Sequence, residues 1–179
     1  MVRQLVERIR NKDQKAMAQL YQMYIEELSS VCYRYVPAES DAKDVLQDSF
    51  IKIFTSLSTF DYKDESSFVG WMKRVVVNEA IHFLKERKKL SIVDEDVNQL
   101  HLSDEEPDIV HITADELHQM VCELPNGYRT IINLFVFEGY SHKEIATMLD
   151  IKEGTSASQF YHAKQLLAKA IKERINKKR

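Results

Sequence analysis

Glycine and proline are scarce, with four and three among 179 residues, so the chain has few points at which helices must break. No strand-like alternation is convincing, although Val75–Val77 is a β-branched run. No apolar stretch approaches a membrane span; the longest clusters, such as IINLFVFEGY (131–140), are interrupted and short. The first ten residues, MVRQLVERIR, carry charges throughout and do not read as a signal peptide. Only two cysteines are present, Cys32 and Cys122, both in apolar helical patterns and neither in a CxxC pair. They read as reduced, buried thiols of a cytoplasmic protein. No glycine-rich phosphate loop or nucleophile–base pattern appears, so no catalytic residues and no cofactor are expected. His118 and Cys122 lie four apart and could share a zinc ion, but no second pair has metal-site spacing, and core packing of Cys122 is the preferred reading.

Cations are missing from one segment. Residues 91–112 hold no Lys or Arg and seven acids, whereas the flanking stretches 1–90 and 113–179 are each net +2. The acidic stretch has no helical period and reads as a tether extended by its own charge. Elsewhere the apolar spacing predicts helices at about 2–10, 13–36, 41–57, 67–89, 113–123, 126–138, 141–149 and 154–176. Asp13 and Asp41 are expected N-caps, Ser141 with Glu144 an expected capping box, and Pro37 the stop of the second helix. The expected fold class is all-α, with two small helical domains, 1–90 and 113–179, joined by a flexible acidic linker, 91–112.

Three surface stripes carry the functional signal. On 41–57, Ala42, Leu46, Phe50, Ile53 and Leu57 share one face, which is core. Opposite lie Asp44, Asp48, Ile51 and Thr55, with Gln47 at the edge. An acidic stripe is usually only a solvated face, but an aliphatic among carboxylates suits a basic partner helix better than water. On 67–89, Phe68, Met72, Val75, Val76 and Phe83 are expected to face inward, and Trp71, Arg74, Asn78, His82, Lys85 and Lys89 outward. Cations for phosphates, a ring for stacking and an amide or imidazole for base edges are what nucleic-acid binding needs. The preceding loop offers Phe60 and Tyr62 as a pocket for an unstacked base.

The third stripe follows a short turn. The helices at 141–149 and 154–176 form a helix-turn-helix. On the second, Ser156, Phe160, Ala163, Lys164, Leu167 and Ile171 are expected inward, and Thr155, Ser158, His162, Gln165 and Lys169 outward. Small residues in its first turn suit close approach to a duplex groove. No Lys or Arg lies between Lys152 and Lys164, so few phosphate cations are on offer.

Taken in order, these parts resemble a known family. DAKDVLQDSFIKIF (41–54), FVGWMKRVVVNEAIHFLKER (68–87), an acidic linker, and LPNGYRTIINLFVFEGYSHKEIATMLDIKEGTSASQFYHAKQLL (124–167) together look like an extracytoplasmic-function (ECF) sigma factor of the sigma-70 family. The specific motifs are DA-x-DV-x-Q-[DE]-x-F, W-[LM]-x-R-x-x-x-N, LP-x-x-x-R, and G-[YF]-S-x-x-E-IA-x-x-L followed by EGT. The resemblance implies an RNA polymerase sigma factor, not an enzyme, whose partners are core RNA polymerase and promoter DNA. Asp44, Gln47, Asp48, Ile51 and Thr55 would meet the clamp helices of the polymerase β′ subunit. Phe60, Tyr62, Trp71, Arg74, Asn78, His82, Lys85 and Arg87 would serve the melting −10 element. Ser141, Lys143, Thr155, Ser156, Ser158, Gln159, His162 and Lys164 would read the −35 duplex, with the β flap a further contact of that domain. The chain departs from the family at Ala157, Gln159 and His162, where basic residues are common. That departure adds a recruiting DNA-bound complex to the partners considered, beside an anti-sigma factor; no membrane is expected. The rival reading is a dimeric helix-turn-helix regulator, which explains 113–179 but leaves the first two stripes without a role.

Overall fold

The computed structural model describes residues 1–87, 90, 92 and 112–178. The described residues hold eight α-helices, one of them running on into a π-helical turn, and no strand. The expected linker, apart from Ile92 and Ile112, lies outside the described residues, as does Lys89. The chain divides into two compact units, Met1–Glu86 and Arg87–Arg179.

The first unit contains α1 (Val2–Arg10), α2 (Gln14–Tyr35), α3 (Glu39–Ser56) and α4 (Glu65–Glu86). Helix α1 buries Val2, Leu5, Val6 and Ile9, one stripe at helical spacing. A turn with Lys12 at φ 61° leads to Asp13, which caps α2 by accepting from the Lys15 and Ala16 backbone N–H groups at 2.9 and 3.1 Å. Those backbone bonds, Ala16's first, and the hydrogen bond from Arg8 hold the Asp13 carboxyl below its usual range. Helix α2 ends at Tyr35, two residues before Pro37, as expected.

The expected cap at Asp41 is incorrect. Helix α3 starts two residues earlier, with Ala38 as N-cap, and Asp41 sits in its first turn. There a carboxylate still favours the helix through the positive end of its dipole, so the acidic signal was real but its position was not. Helix α4 also starts early, with Asp64 accepting from the Ser67 N–H at 2.7 Å.

Helices α2, α3 and α4 pack on one another around Leu20, Leu28, Phe50, Ile53, Phe68, Met72, Val76, Val77, Ile81 and Leu84. Each such side chain contributes roughly 1.5–3 kcal/mol of burial. Val75 and Phe83, expected inward, are only half-buried, and Val77, Ala80, Ile81 and Leu84 take the interior instead. Helix α4 touches both α2 and α3, so its buried face is wider than one stripe and is centred further round than the spacing suggests. Cys32 is buried, its thiol donates to the Ala42 carbonyl at 3.7 Å, and burial pushes its pKa up to about 12.

The second unit contains α5 (Ala114–Glu123), α6 (Asn126–Ile132), α7 (His142–Leu149) and α8 (Glu153–Lys178). Thr113 and Glu116 form a capping box at the start of α5, and Ser141 and Glu144 form the expected one at α7. Helix α6 runs into a π-helical turn, Asn133–Phe137, closed by the Glu138 N–H donating to the Asn133 carbonyl at 3.0 Å. The single helix expected over 126–138 therefore changes pitch halfway. The widened turn brings Phe135 against His142 and Phe160, with ring centroids 4.6 and 4.5 Å away. Asp150, at φ 59°, ends α7 in the left-handed region, which an Asp side chain tolerates. Helix α8 touches α5, α6 and α7 and is the hub of this unit.

Candidate polymerase and nucleic-acid interfaces

On α3 the core face is as expected: Ala42, Leu46, Phe50, Ile53 and Leu57 are all buried. Asp44, Gln47, Asp48, Ile51 and Thr55 are all exposed, Ile51 at 54%. The local charge is sorted. Lys43 pairs with Glu39 at 2.7 Å and Lys52 with Glu79 on α4 at 2.6 Å, which removes both nearby cations from the stripe. Among the described residues no cation pairs with Asp44 or Asp48. On the core side, half-exposed Tyr21 of α2 lies against Phe50, with ring centroids 4.6 Å apart. The result is an anionic strip with an apolar centre, able to attract a cationic helix and then bury Ile51 against it.

The second surface combines α4 with the loop before it. Arg74, Asn78, His82 and Lys85 are exposed along one side, His82 approaches Glu86 at 3.7 Å, and Arg87, exposed, follows the end of the helix. Trp71 is not the free outward ring that its spacing suggested. It is half-buried, stacked on Phe60 at 4.5 Å and 29° and on Phe68 at 5.8 Å and 25°. Tyr62 leans on Phe68 at 5.8 Å. Phe60 and Tyr62, the expected pocket for an unstacked base, are both half-buried and both packed against Phe68. What the surface offers is a preassembled aromatic platform at the head of a cationic side. Such a platform exposes π-faces on which unpaired bases stack, whatever their sequence.

The third surface departs most from expectation. Ser141 and Lys143 are exposed at the start of α7, Lys164 is exposed, and Ser158 is half-exposed. Thr155, His162 and Gln165, expected outward, are buried, as are Ser156 and Gln159. Lys164, expected inward, faces solvent with Gly154, Ala157 and Tyr161. The reason is that α8 has no single buried stripe. Ala163, Leu166 and Leu167 pack with Val121, Leu124 and Ile132 of the α5–α6 side. Ser156 and Phe160 meet His142 of α7, with 3.0 Å between the Ser156 Oγ and the His142 Nδ1. The His162 ring sits 6.4 Å from that of Tyr128, is 2% exposed, and has no hydrogen-bond partner on either nitrogen among the described residues.

Sequence reading missed Arg129, the last residue of the LP-x-x-x-R motif. Its guanidinium is buried and donates to the Cys122 and Leu124 carbonyls, each at 2.8 Å, and to the Asn126 Oδ1. Cys122 is half-buried with its Sγ 3.6 Å from the His118 Nε2. No group of three or more metal-binding side chains occurs among the described residues, and none of their helices is long and apolar enough to cross a membrane.

Comparison with known proteins covers both units. Residues 20–90 match the family Sigma-70 region 2, and residues 114–167 match Sigma-70, region 4. The chain is 31% identical to the ECF RNA polymerase sigma-E factor of Haemophilus influenzae, over 93% of each chain. It is 31% identical to the RNA polymerase sigma-H factor of Pseudomonas aeruginosa, over 94% of this chain and 92% of that one. The ECF RNA polymerase sigma-E factor of Escherichia coli K12 is 30% identical, with 97% and 95% covered. Among solved structures, CnrH in complex with the cytosolic domain of CnrY shares the fold, with a TM-score of 0.50 and 20% identity over 96% of this chain and 97% of that one.

Proposed function

The chain belongs to the ECF sigma factors of the sigma-70 family, and from that premise we propose how its surfaces divide the work of promoter recognition. A sigma factor gives core RNA polymerase its promoter specificity and is a DNA-binding initiation factor; bond-making stays with the polymerase. In this reading Asp44, Gln47, Asp48, Ile51 and Thr55 dock on the β′ clamp helices. Arg74, Asn78, His82, Lys85 and Arg87 lie along the −10 DNA, and Phe60, Tyr62 and Trp71 receive bases as the duplex opens. Ser141, Lys143, Ser158 and Lys164 meet the −35 duplex, while buried Thr155, Ser156, Gln159 and His162 set the seat of α8 beneath them. The β flap holds the second unit, an anti-sigma factor or recruiting complex is a further partner, and the work is cytoplasmic, beside the polymerase.

The observation that carries this reading is the Phe60–Trp71 stack at the head of the cationic side of α4. Base stacking on an aromatic is worth about 1–3 kcal/mol and becomes available only once bases are unpaired. Trp71→Ala should therefore slow open-complex formation more than initial binding, and a pre-melted promoter bubble should restore much of the activity. Equal loss on duplex and pre-melted templates would remove melting from this surface.

A further inference from the structure

Helix α1 lies outside the segment that matches region 2, yet it grips the loop that carries Phe60. The Arg10 side chain is mostly covered. Its Nε donates to the Leu57 carbonyl at 3.0 Å, its Nη2 donates to the Phe60 carbonyl, and its Nη1 meets Glu7 at 2.7 Å. Two turns away, the Arg3 Nη2 donates to the Lys63 carbonyl at 3.3 Å, and the Arg3 guanidinium lies 5.5 Å from the centroid of the Tyr62 ring. Two arginines of one short helix thus hold three main-chain carbonyls of 57–63, about fifty residues away in sequence. The loop closes no ladder or helix of its own; beside a turn in which the Thr59 N–H donates to the Ser56 carbonyl at 3.2 Å, these bonds and its ring contacts hold it.

We propose that α1 is a brace for this loop, and that Arg10 is its positioning residue: by holding the Leu57 and Phe60 carbonyls it keeps the Phe60 ring stacked on Trp71. Arg10 touches neither ring; it acts through the backbone. The consequence for promoter opening rests on the reading under Proposed function, whereas the brace itself rests only on the contacts above. A surface arginine often does no more than lay its stem over apolar neighbours. Here every polar corner of the fork has an assigned acceptor, and a planar guanidinium serves them in one geometry that a lysine ammonium cannot reproduce.

Trp71 is the only tryptophan in the chain, so its fluorescence reports the stack directly. Full-length Arg10→Ala, Arg10→Lys and Phe60→Ala would be compared with Arg8→Ala, which alters the same helix at a residue that pairs with Asp13 and not with the loop. Far-UV circular dichroism and the thermal midpoint follow folding in each. Both Arg10 variants should raise the acrylamide quenching constant of Trp71 toward that of Phe60→Ala, since a ring that loses its stacked partner opens that face to the quencher. Arg8→Ala should not. If Arg10→Ala fails to fold, Arg10→Lys carries the test, because it keeps the charge and the packing face. Wild-type quenching in the Arg10 variants, or equal change in Arg8→Ala, overturns the brace.

A second arm separates this from the promoter reading. With core polymerase, the Arg10 variants should open a promoter about tenfold more slowly, the worth of one stacking contact, with polymerase binding unchanged. Altered quenching with normal opening leaves the brace standing and removes the −10 role of the platform.

Discussion

Arg129 shows what a single buried charge does in this fold. From α6 its guanidinium reaches the C-terminal end of α5, where the last carbonyls have no partner within the helix and the dipole favours a cation. Burial lowers its pKa, but an arginine keeps its proton regardless, which suits it to this place. The motif was visible in the sequence and its role was not, because the acceptors are main-chain carbonyls that any sequence supplies. Arg129→Leu should leave those carbonyls dry and unpaired, at about 1–3 kcal/mol each. Circular dichroism should show α5–α8 melting earlier, while the Trp71 fluorescence midpoint, which belongs to the other unit, stays put; a shift in both would contradict a local role. Docking has its own residue test. Asp48→Lys with Ile51→Glu removes the attraction and sets a charge at the apolar centre, a mismatch worth several kcal/mol at an interface. Co-purification with core polymerase should be lost at unchanged helicity, and retained binding would sink the docking assignment.

At the scale of elements, the buried face was read well wherever it follows one apolar stripe. Helices α1 and α3 are the clear cases, with Asp13 and the Ser141–Glu144 box marking starts through local chemistry. Helices whose buried face is wider than one apolar stripe were misread. Helix α8 buries Thr155, Gln159 and His162 as well as Ala163, and no hydropathy pattern marks a buried polar flank. The widening after Ile132 was hidden too, since a π turn depends on what the rings around Phe135 pack against. The exposed side of α8 near its start holds Gly154, Ala157 and Tyr161, with no cation before Lys164. Ala157→Lys in the full-length protein should thus add one phosphate contact. Affinity for matched and scrambled −35 duplexes should rise by the same factor, and the salt slope should steepen by about 0.9. Tightening confined to the matched duplex would show that position 157 meets a base edge instead.

For the whole molecule, the division into two units gives the function proposed above its layout. In that reading the first unit carries the docking strip and the −10 surface, and the second carries the −35 surface. The expected tether is residues 91–112, with seven acids and no cation. Tethering turns the second contact into an intramolecular one, and such linkage raises overall binding by about 10²–10⁴-fold without any new contact. A protease site inserted after Leu100 tests this. Before cleavage, transcription from a dependent promoter should match wild type, since a few residues added to a long connection cost little. After cleavage both halves should keep their helicity and the first unit should still bind core polymerase, because the docking strip lies wholly on α3. Promoter-specific transcription should fall about a hundredfold or more, as the −35 contact becomes a separate bimolecular event. If the severed pair initiates as well as the intact chain, each unit is held on the polymerase by its own affinity, and the acidic segment serves some purpose other than joining the two.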